Sequence, residues 1–421
     1  MLKTLRNAFK IKDIRKKLLY TFAMLVVIRI GSQLPIPGVE TAFFKDFFAQ
    51  QNNDAFGFFN AMTGSSFTNM SVFALSITPY ITSSIIMQLL TIAIPALERM
   101  QKSGPEGQKK IAQITRYVTV LLAVIQAIGL VAGLGYIKSG WFNTVLVGVS
   151  MAGGTALAMW IGERITEKGL GNGISLLIFA GIISNLFTGF VNLFRNAFTA
   201  TSLTPWLTLL AVMLVALFMI VVVTYVDMGV RRINVHFAKR VSGRKMYGGQ
   251  NSVIPMKVVS VGVLPLIFAY SFMAFPGTII QLVGGSNSSA AIWWSRYMNA
   301  ASPLYLIVTA LLIIAFTYFY TSISFQPDEM AKNIQQQGGA IPSVRPGKPT
   351  ADYLRRINNR LTLFAALFLA VLATVPTLFT VGLQTQIPFA ASSILIAVSV
   401  VLETKRQLDD LLVSRNYDSI S

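Results

Sequence analysis

Residues 205–226 read PWLTLLAVMLVALFMIVVVTYV, and residues 227–245, which follow, read DMGVRRINVHFAKRVSGRK. The first stretch carries no charge over a length that, as a helix, rises about 33 Å, enough to cross a hydrocarbon layer of about 30 Å. The second places Arg231, Arg232, Lys239, Arg240, Arg244 and Lys245 around His236. Inside a bilayer no water is available to satisfy the backbone, so only a helix or a closed barrel can span it. The alternating pattern of barrel strands is absent here. The pair therefore reads as a membrane helix that ends in a basic, water-facing gap.

The same alternation runs through the whole chain. Ten apolar runs, 18–35, 72–97, 113–135, 142–162, 173–194, 205–226, 258–283, 303–325, 361–381 and 386–402, are long enough to span. Segments 1–17, 98–116, 163–171, 227–257, 326–360 and 403–421, all on one side, hold 30 of the 35 Lys/Arg. The other side holds Lys45, Lys138, Arg195 and Arg296, and Arg29 lies within the first run. The rich side is expected to be cytoplasmic, with both termini there. The fold class expected is an all-α polytopic membrane protein.

Composition agrees with this reading. The chain of 421 residues is 54% hydrophobic and 12% charged, and its net charge of +19 sits on one face. A soluble domain carries about twice that charged fraction. A basic face attracts anionic lipid, nucleic acid or acidic protein. There is no Cys and a single His, so thiolate or His-cluster metal sites and a Ser-His-Asp triad lack their materials. We expect no catalytic residue, no cofactor and no metal.

Residues 1–17 followed by an apolar run resemble a signal peptide, but Leu34-Pro35-Ile36-Pro37-Gly38 follows where a small-residue cleavage site would stand. An uncleaved first span is expected. Leu2, Leu5, Phe9 and Ile14 among basic residues suggest an amphipathic helix on the inner surface. Residues 56–70, FGFFNAMTGSSFTNM, are semi-apolar and too short to span. They fit an outer loop and a half-helix dipping into the bundle equally well. Gly129/Gly133 and Gly153-Gly154 mark close helix packing. Gaps 227–257 and 326–360 are long, and their Gly and Pro content argues for shaped docking loops rather than helices.

Ion- or proton-coupled transport needs ionisable groups at mid-membrane, and only Arg29 lies within a run, near its outer end, where it can snorkel or pair. That counts against a solute transporter. No GxxxxGK[ST] phosphate loop is present, and Gly169-Leu170-Gly171-Asn172-Gly173 opens a span rather than following a strand. What stands is a passive conduit with a cytoplasmic docking face, with a non-conducting membrane scaffold as the plainer alternative.

Five motifs, in order, carry a resemblance. They are Pro35-Ile36-Pro37-Gly38; Ala74 to Ile81 (ALSITPYI); Gly171 to Ser175 (GNGIS); Arg231-Arg232-Ile233 with Ala238-Lys239-Arg240; and Gly338 to Pro342 (GGAIP) with Arg345-Pro346-Gly347. Over nearly its full length the chain resembles the bacterial SecY family, channel subunits of the Sec protein translocase. The resemblance implies ten transmembrane helices in two inverted five-helix halves, 1–200 and 201–421, around a central pore. It implies a conduit that passes unfolded secretory polypeptides across the cytoplasmic membrane and releases membrane helices sideways into lipid.

It also implies site residues. Residues 56–70 become a plug, including Phe59, Met62, Gly64, Ser65 and Phe67. Ile77, Ile81, Ile174, Ile178, Ile267 and Ile396 become the pore ring, a gasket of branched apolar side chains that leaves water and ions a dewetted gap. Ser83, Gln88, Gln126, Ser271 and Phe275 become lateral-gate residues between spans 2–3 and 7–8. Arg231, Arg232, Lys239, Arg240, Arg345 and Lys348 become the docking set for the SecA motor or the ribosome, whose rRNA phosphates attract Lys/Arg without base reading. SecE and SecG subunits, signal sequences, nascent polypeptides and anionic lipids complete the implied partners. Ser343 stands where many family members carry Gly.

Overall fold

The computed structural model describes residues 9–36, 39, 63–133, 140–199, 204–237, 240–242, 245–247, 251–260, 262–284, 288–298, 302–383 and 391–418. Helix α1 (Lys12–Gly31) comes first. It is followed by α2 (Thr78–Ala93), α3 (Pro95–Lys102), α4 (Pro105–Gly133), α5 (Trp141–Lys168), α6 (Gly173–Thr199) and α7 (Thr204–Asp227). Strands β1 (Val230–Phe237), β2 (Arg240–Ser242), β3 (Lys245–Tyr247) and β4 (Asn251–Lys257) intervene. The rest is α8 (Leu264–Gly284), α9 (Ser289–Tyr297), α10 (Pro303–Ser324), α11 (Pro327–Gln336), β5 (Gly339–Ala340), α12 (Lys348–Leu383) and α13 (Ala391–Asp418).

Among the described residues each of the ten apolar runs overlaps a helix. Among the described residues six helices are long and apolar enough to cross a membrane, and the bent pair α2–α3 makes a seventh. The second run is shorter as a helix than 72–97 suggests. Residues 71–77 form successive turns, with Ser76 at φ 47°, and the helix starts only where Pro79 occupies its first turn. At its far end the chain bends by 102° between α2 and α3, at Ile94, whose extended backbone precedes Pro95. Proline disfavours a helical residue before it, which accounts for the break.

The basic gaps also differ from the expected loops. Segment 227–257 folds as a β ribbon, so the all-α bundle carries a sheet outside its spans. β1 lies between β4 and β5, antiparallel to both, with Ile233 opposite Ile254 and His236 opposite Ala340. Ile233 and Val235 are buried while Arg232, Asn234 and His236 are exposed, the period-two signature of a half-covered strand. Segment 326–360 is largely helical, and only about 337–347 is a loop. Pro327 and Pro349 fall in the first turns of α11 and α12, where a missing N–H costs nothing, and Asp328 and Glu329 complement the α11 dipole.

Apolar side chains gather in three main clusters within the bundle, with two smaller ones around Ile14 and Met273. One, around Ala127, Val131, Val147 and Met151, joins α4 and α5 to Met70, Ala74 and Leu75. A second, around Val212, Leu266, Ile313, Leu369 and Ile394, joins α7, α8, α10, α12 and α13. A third lies where α1, α2, α5, α6, α8 and α13 meet. In lipid such contacts depend on close fit rather than on expulsion of water, and small residues permit it. A Cβ on Gly154 would stand 1.9 Å from the Val72 carbonyl oxygen, and one on Gly173 would stand 1.9 Å from that of Gly162. Gly153 faces open space, so of that pair only Gly154 is a packing residue.

Candidate functional site

The six isoleucines expected to form a ring come from four places in the chain and meet in one cluster. Ile77 ends the turns before α2, Ile81 lies in its first turn, Ile267 is on α8 and Ile396 on α13. Ile178 is on α6, one turn past Ile174, which is half-buried and packs against the rest. The other five are at most 7% exposed. Ile161 and Ile165 of α5, Ile182 of α6, Phe73 and Ile28 join the same cluster, so the apolar layer is broader than the six.

The start of α6 is what aims Ile174 and Ile178. Asn172 caps it, its Oδ1 accepting from the Ile174 N–H at 3.1 Å and the Ser175 N–H at 3.4 Å. Gly171, at φ 86°, turns the chain into the helix. Thr166 and Thr21 accept from the Gly173 and Leu170 N–H groups, tying the turn to α5 and α1. The glycines noted in the sequence thus serve a helix start.

Of the segment expected to plug the conduit, Phe59 and Met62 lie outside the described residues. Of the part described, Thr63 is helical and 64–70 is a run of tight turns. It is pinned at both ends. Pro35 bridges to Ser71, Ile36 N–H donates to the Met70 carbonyl at 3.1 Å and Val72 N–H to that of Leu34 at 3.2 Å. Phe67 is 5% exposed and Met70 fully buried. The Gly64 carbonyl accepts from Arg29 Nη1 at 3.2 Å. Arg29 Nη2 donates to Ser184 Oγ, and Ser65 Oγ donates to Asn185 Oδ1 at 2.5 Å. Arg29 is therefore paired rather than snorkelling. The sequence singled it out as the lone charge within a run, yet its partners are 35 and 155 residues away and could be found only by folding.

Among the gate candidates, Ser83 is fully buried and bonds to the neighbouring helix α4. Its Oγ donates to the Thr115 carbonyl at 3.3 Å and shares a hydrogen bond with Thr119 Oγ1, joining α2 to α4. Gln88, Gln126 and Ser271 are half-buried on α2, α4 and α8, and Phe275 lies on α8. α8 packs against both α2 and α4, so the helices expected to flank a gate are in contact.

The docking candidates are drawn together by β5. Its pairing with β1 places Arg231 and Arg232, the loop bearing Arg345 and the start of α12 bearing Lys348 on one small module. The module has its own core of Ile233, Val235, Met256, Ile334, Ile341 and Leu354. All four of these basic residues are exposed and make no ion pair among the described residues. On the same module Arg355 is already matched: it bonds Asp328 at 3.0 Å and lies 3.5 Å from Asp352. Thr350, itself buried, donates to the Arg345 carbonyl at 2.8 Å and so fixes the loop onto α12. Lys239 lies outside the described residues, and Arg240 begins β2.

Three comparisons bear on what this arrangement does. Residues 71–405 match the SecY family model. Protein translocase subunit SecY from Streptomyces galbus is 40% identical over 437 residues, covering 99% of both chains. That from Halalkalibacterium halodurans is 40% identical over 429 residues with the same coverage. A solved protein-conducting channel shares the fold at TM-score 0.71 and 20% identity, over 97% of this chain and 94% of that one. Sec61 from a canine ribosome–channel complex does so at 0.68 and 19%, with the same coverage.

Proposed function

The chain belongs to the SecY family, whose members are protein-conducting channels, and we propose that its conduit runs through the isoleucine cluster and is stoppered by the 56–70 segment. In this reading Ile77, Ile81, Ile174, Ile178, Ile267 and Ile396 form a gasket around a passing polypeptide. Branched apolar side chains offer no preferred hydrogen bond, so they yield to any sequence while an empty gap stays dry. The two halves, 1–200 and 201–421, hinge around this layer. Signal sequences and membrane helices leave between α2–α4 and α8–α10, past Ser83, Gln88, Gln126, Ser271 and Phe275.

Work comes from outside the chain. The module bearing Arg231, Arg232, Arg345 and Lys348, with Lys239 and Arg240, receives the SecA motor or the ribosome on the cytoplasmic side. SecE and SecG are the companion subunits, and anionic lipids of the bacterial inner membrane meet the same basic face. Both termini are cytoplasmic. The observation that carries the conduit is that six isoleucines from four distant parts of the chain converge in one cluster, five of them buried and Ile174 packed against them. Planar-bilayer conductance of the purified channel tests it. Wild type is expected to be closed and a deletion of residues 57–67 leaky. A silent deletion variant would remove both the plug and the conduit assignment.

A further inference from the structure

Nearly every Lys and Arg of this chain lies in a water-facing gap, and Arg29 alone lies within an apolar run. An unpaired guanidinium there is costly. Among the described residues Arg29 makes no ion pair with a carboxylate. Its hydrogen-bond partners are instead a backbone carbonyl, that of Gly64, and a hydroxyl, that of Ser184. One belongs to the 64–70 turns and the other to α6. The guanidinium thus links two segments that chain connectivity leaves independent.

We infer that Arg29, Ser184 and Asn185 form a polar latch that holds the plug against α6, and that Arg29 is a positioning residue which sets how readily the conduit opens. This rests on the plug reading above. The fit around the latch is close. Gly64, at φ 64°, lies between Arg29 and α6, and a Cβ there would stand 2.3 Å from Arg29 Nη1 and 2.9 Å from the Gly181 Cα. Ser65 is held at φ 66°, a left-handed conformation that a non-glycine residue keeps only when its surroundings demand it. Its hydroxyl makes the second link, to Asn185. Two adjacent plug residues in left-handed geometry therefore bond two adjacent residues of α6, one through Arg29 and one directly.

The latch and the gasket share a helix. Ser184 and Asn185 follow Ile174 and Ile178 on α6, so a shift of α6 that widens the isoleucine layer also draws Ser184 and Asn185 from their plug partners. All the links are hydrogen bonds to neutral acceptors, which water can replace once the path is wet, so the plug can leave and return. A salt bridge in the same place would hold the plug harder and leave a buried carboxylate behind when broken.

Single-channel recording of the purified channel, together with export of a secretory protein in reconstituted vesicles, tests this. Arg29→Met, Ser65→Ala and Asn185→Ala are each compared with wild type and with the deletion of 57–67. Loss of a charge-assisted hydrogen bond is expected to raise the resting open fraction about tenfold or more for Arg29→Met, with roughly two- to tenfold for the neutral links. In the deletion background none of the three is expected to add leak, because the latch then has nothing to hold. Membrane insertion and protease resistance of each purified variant, compared with wild type, separate unlatching from misfolding. A leaky deletion with all three point variants as closed as wild type would overturn the latch alone. An equal rise in leak from Arg29→Met with and without the plug would also overturn it. A silent deletion would overturn the plug reading and the latch with it.

Discussion

Ser343 sits at φ 66° in the turn between β5 and Arg345, a conformation that suits glycine because Cβ crowds the backbone there. The resemblance noted Ser at a position where many family members carry Gly, and the backbone supplies the reason for that preference. Ser343→Gly should relieve strain of about 1 kcal/mol, partly offset by the greater freedom of glycine in the unfolded chain. The expected outcome is a loop more resistant to limited proteolysis near 338–347, with export unchanged or slightly raised. Equal or faster cleavage would show that the turn tolerates Ser without strain.

At the scale of elements, the module proposed for docking has a core of its own. β1, β4, β5, α11 and α12 enclose Leu354, which is fully buried among Ile233, Val235, Ile334 and Ile341. Leu354→Ala should cost about 2–5 kcal/mol, the range for emptying such a site, and the cost should fall on this module. The spans are packed by separate clusters and should persist. We expect rapid proteolysis of the 227–257 and 337–347 segments, lost export, and an intact membrane core that still resists protease. Loss of the whole chain instead would mean that module and bundle fold as one unit.

At the scale of the molecule, the charge asymmetry gives direction. Thirty of 35 basic residues lie in six alternate gaps between the apolar runs, and the structure separates those already matched, such as Arg116, Arg164, Arg355 and Arg406, from those left without an ion pair among the described residues. Arg231, Arg232, Arg345 and Lys348 belong to the second group. Arg345→Glu should abolish export while the channel still inserts and assembles, because the side chain is exposed and supports no packing. Raising salt from about 0.05 to about 0.5 M should weaken docking of the motor or the ribosome to wild type severalfold, since exposed charges are screened within a few ångströms. Docking indifferent to salt and to Arg345→Glu would place the contact elsewhere.

The sequence by itself determined that the chain is a multi-pass membrane protein and where its apolar runs and basic gaps fall, because those properties follow from the local run of apolar residues and from charge counted along the chain. It also singled out Arg29 and the six isoleucines, the latter only through resemblance, since an Ile in an apolar span looks the same whether it faces lipid, a neighbour or a pore. Only the tertiary structure decided that these isoleucines share one layer, that Arg29 binds Gly64 and Ser184, and that a two-residue strand joins the basic gaps. The gaps read as loops because their Gly and Pro content hides a ribbon whose strands pair across some twenty residues, and a helix whose prolines sit harmlessly in first turns. Hydrogen bonds between segments distant in sequence leave no periodic trace, so the devices that fasten this molecule appear only once it is folded.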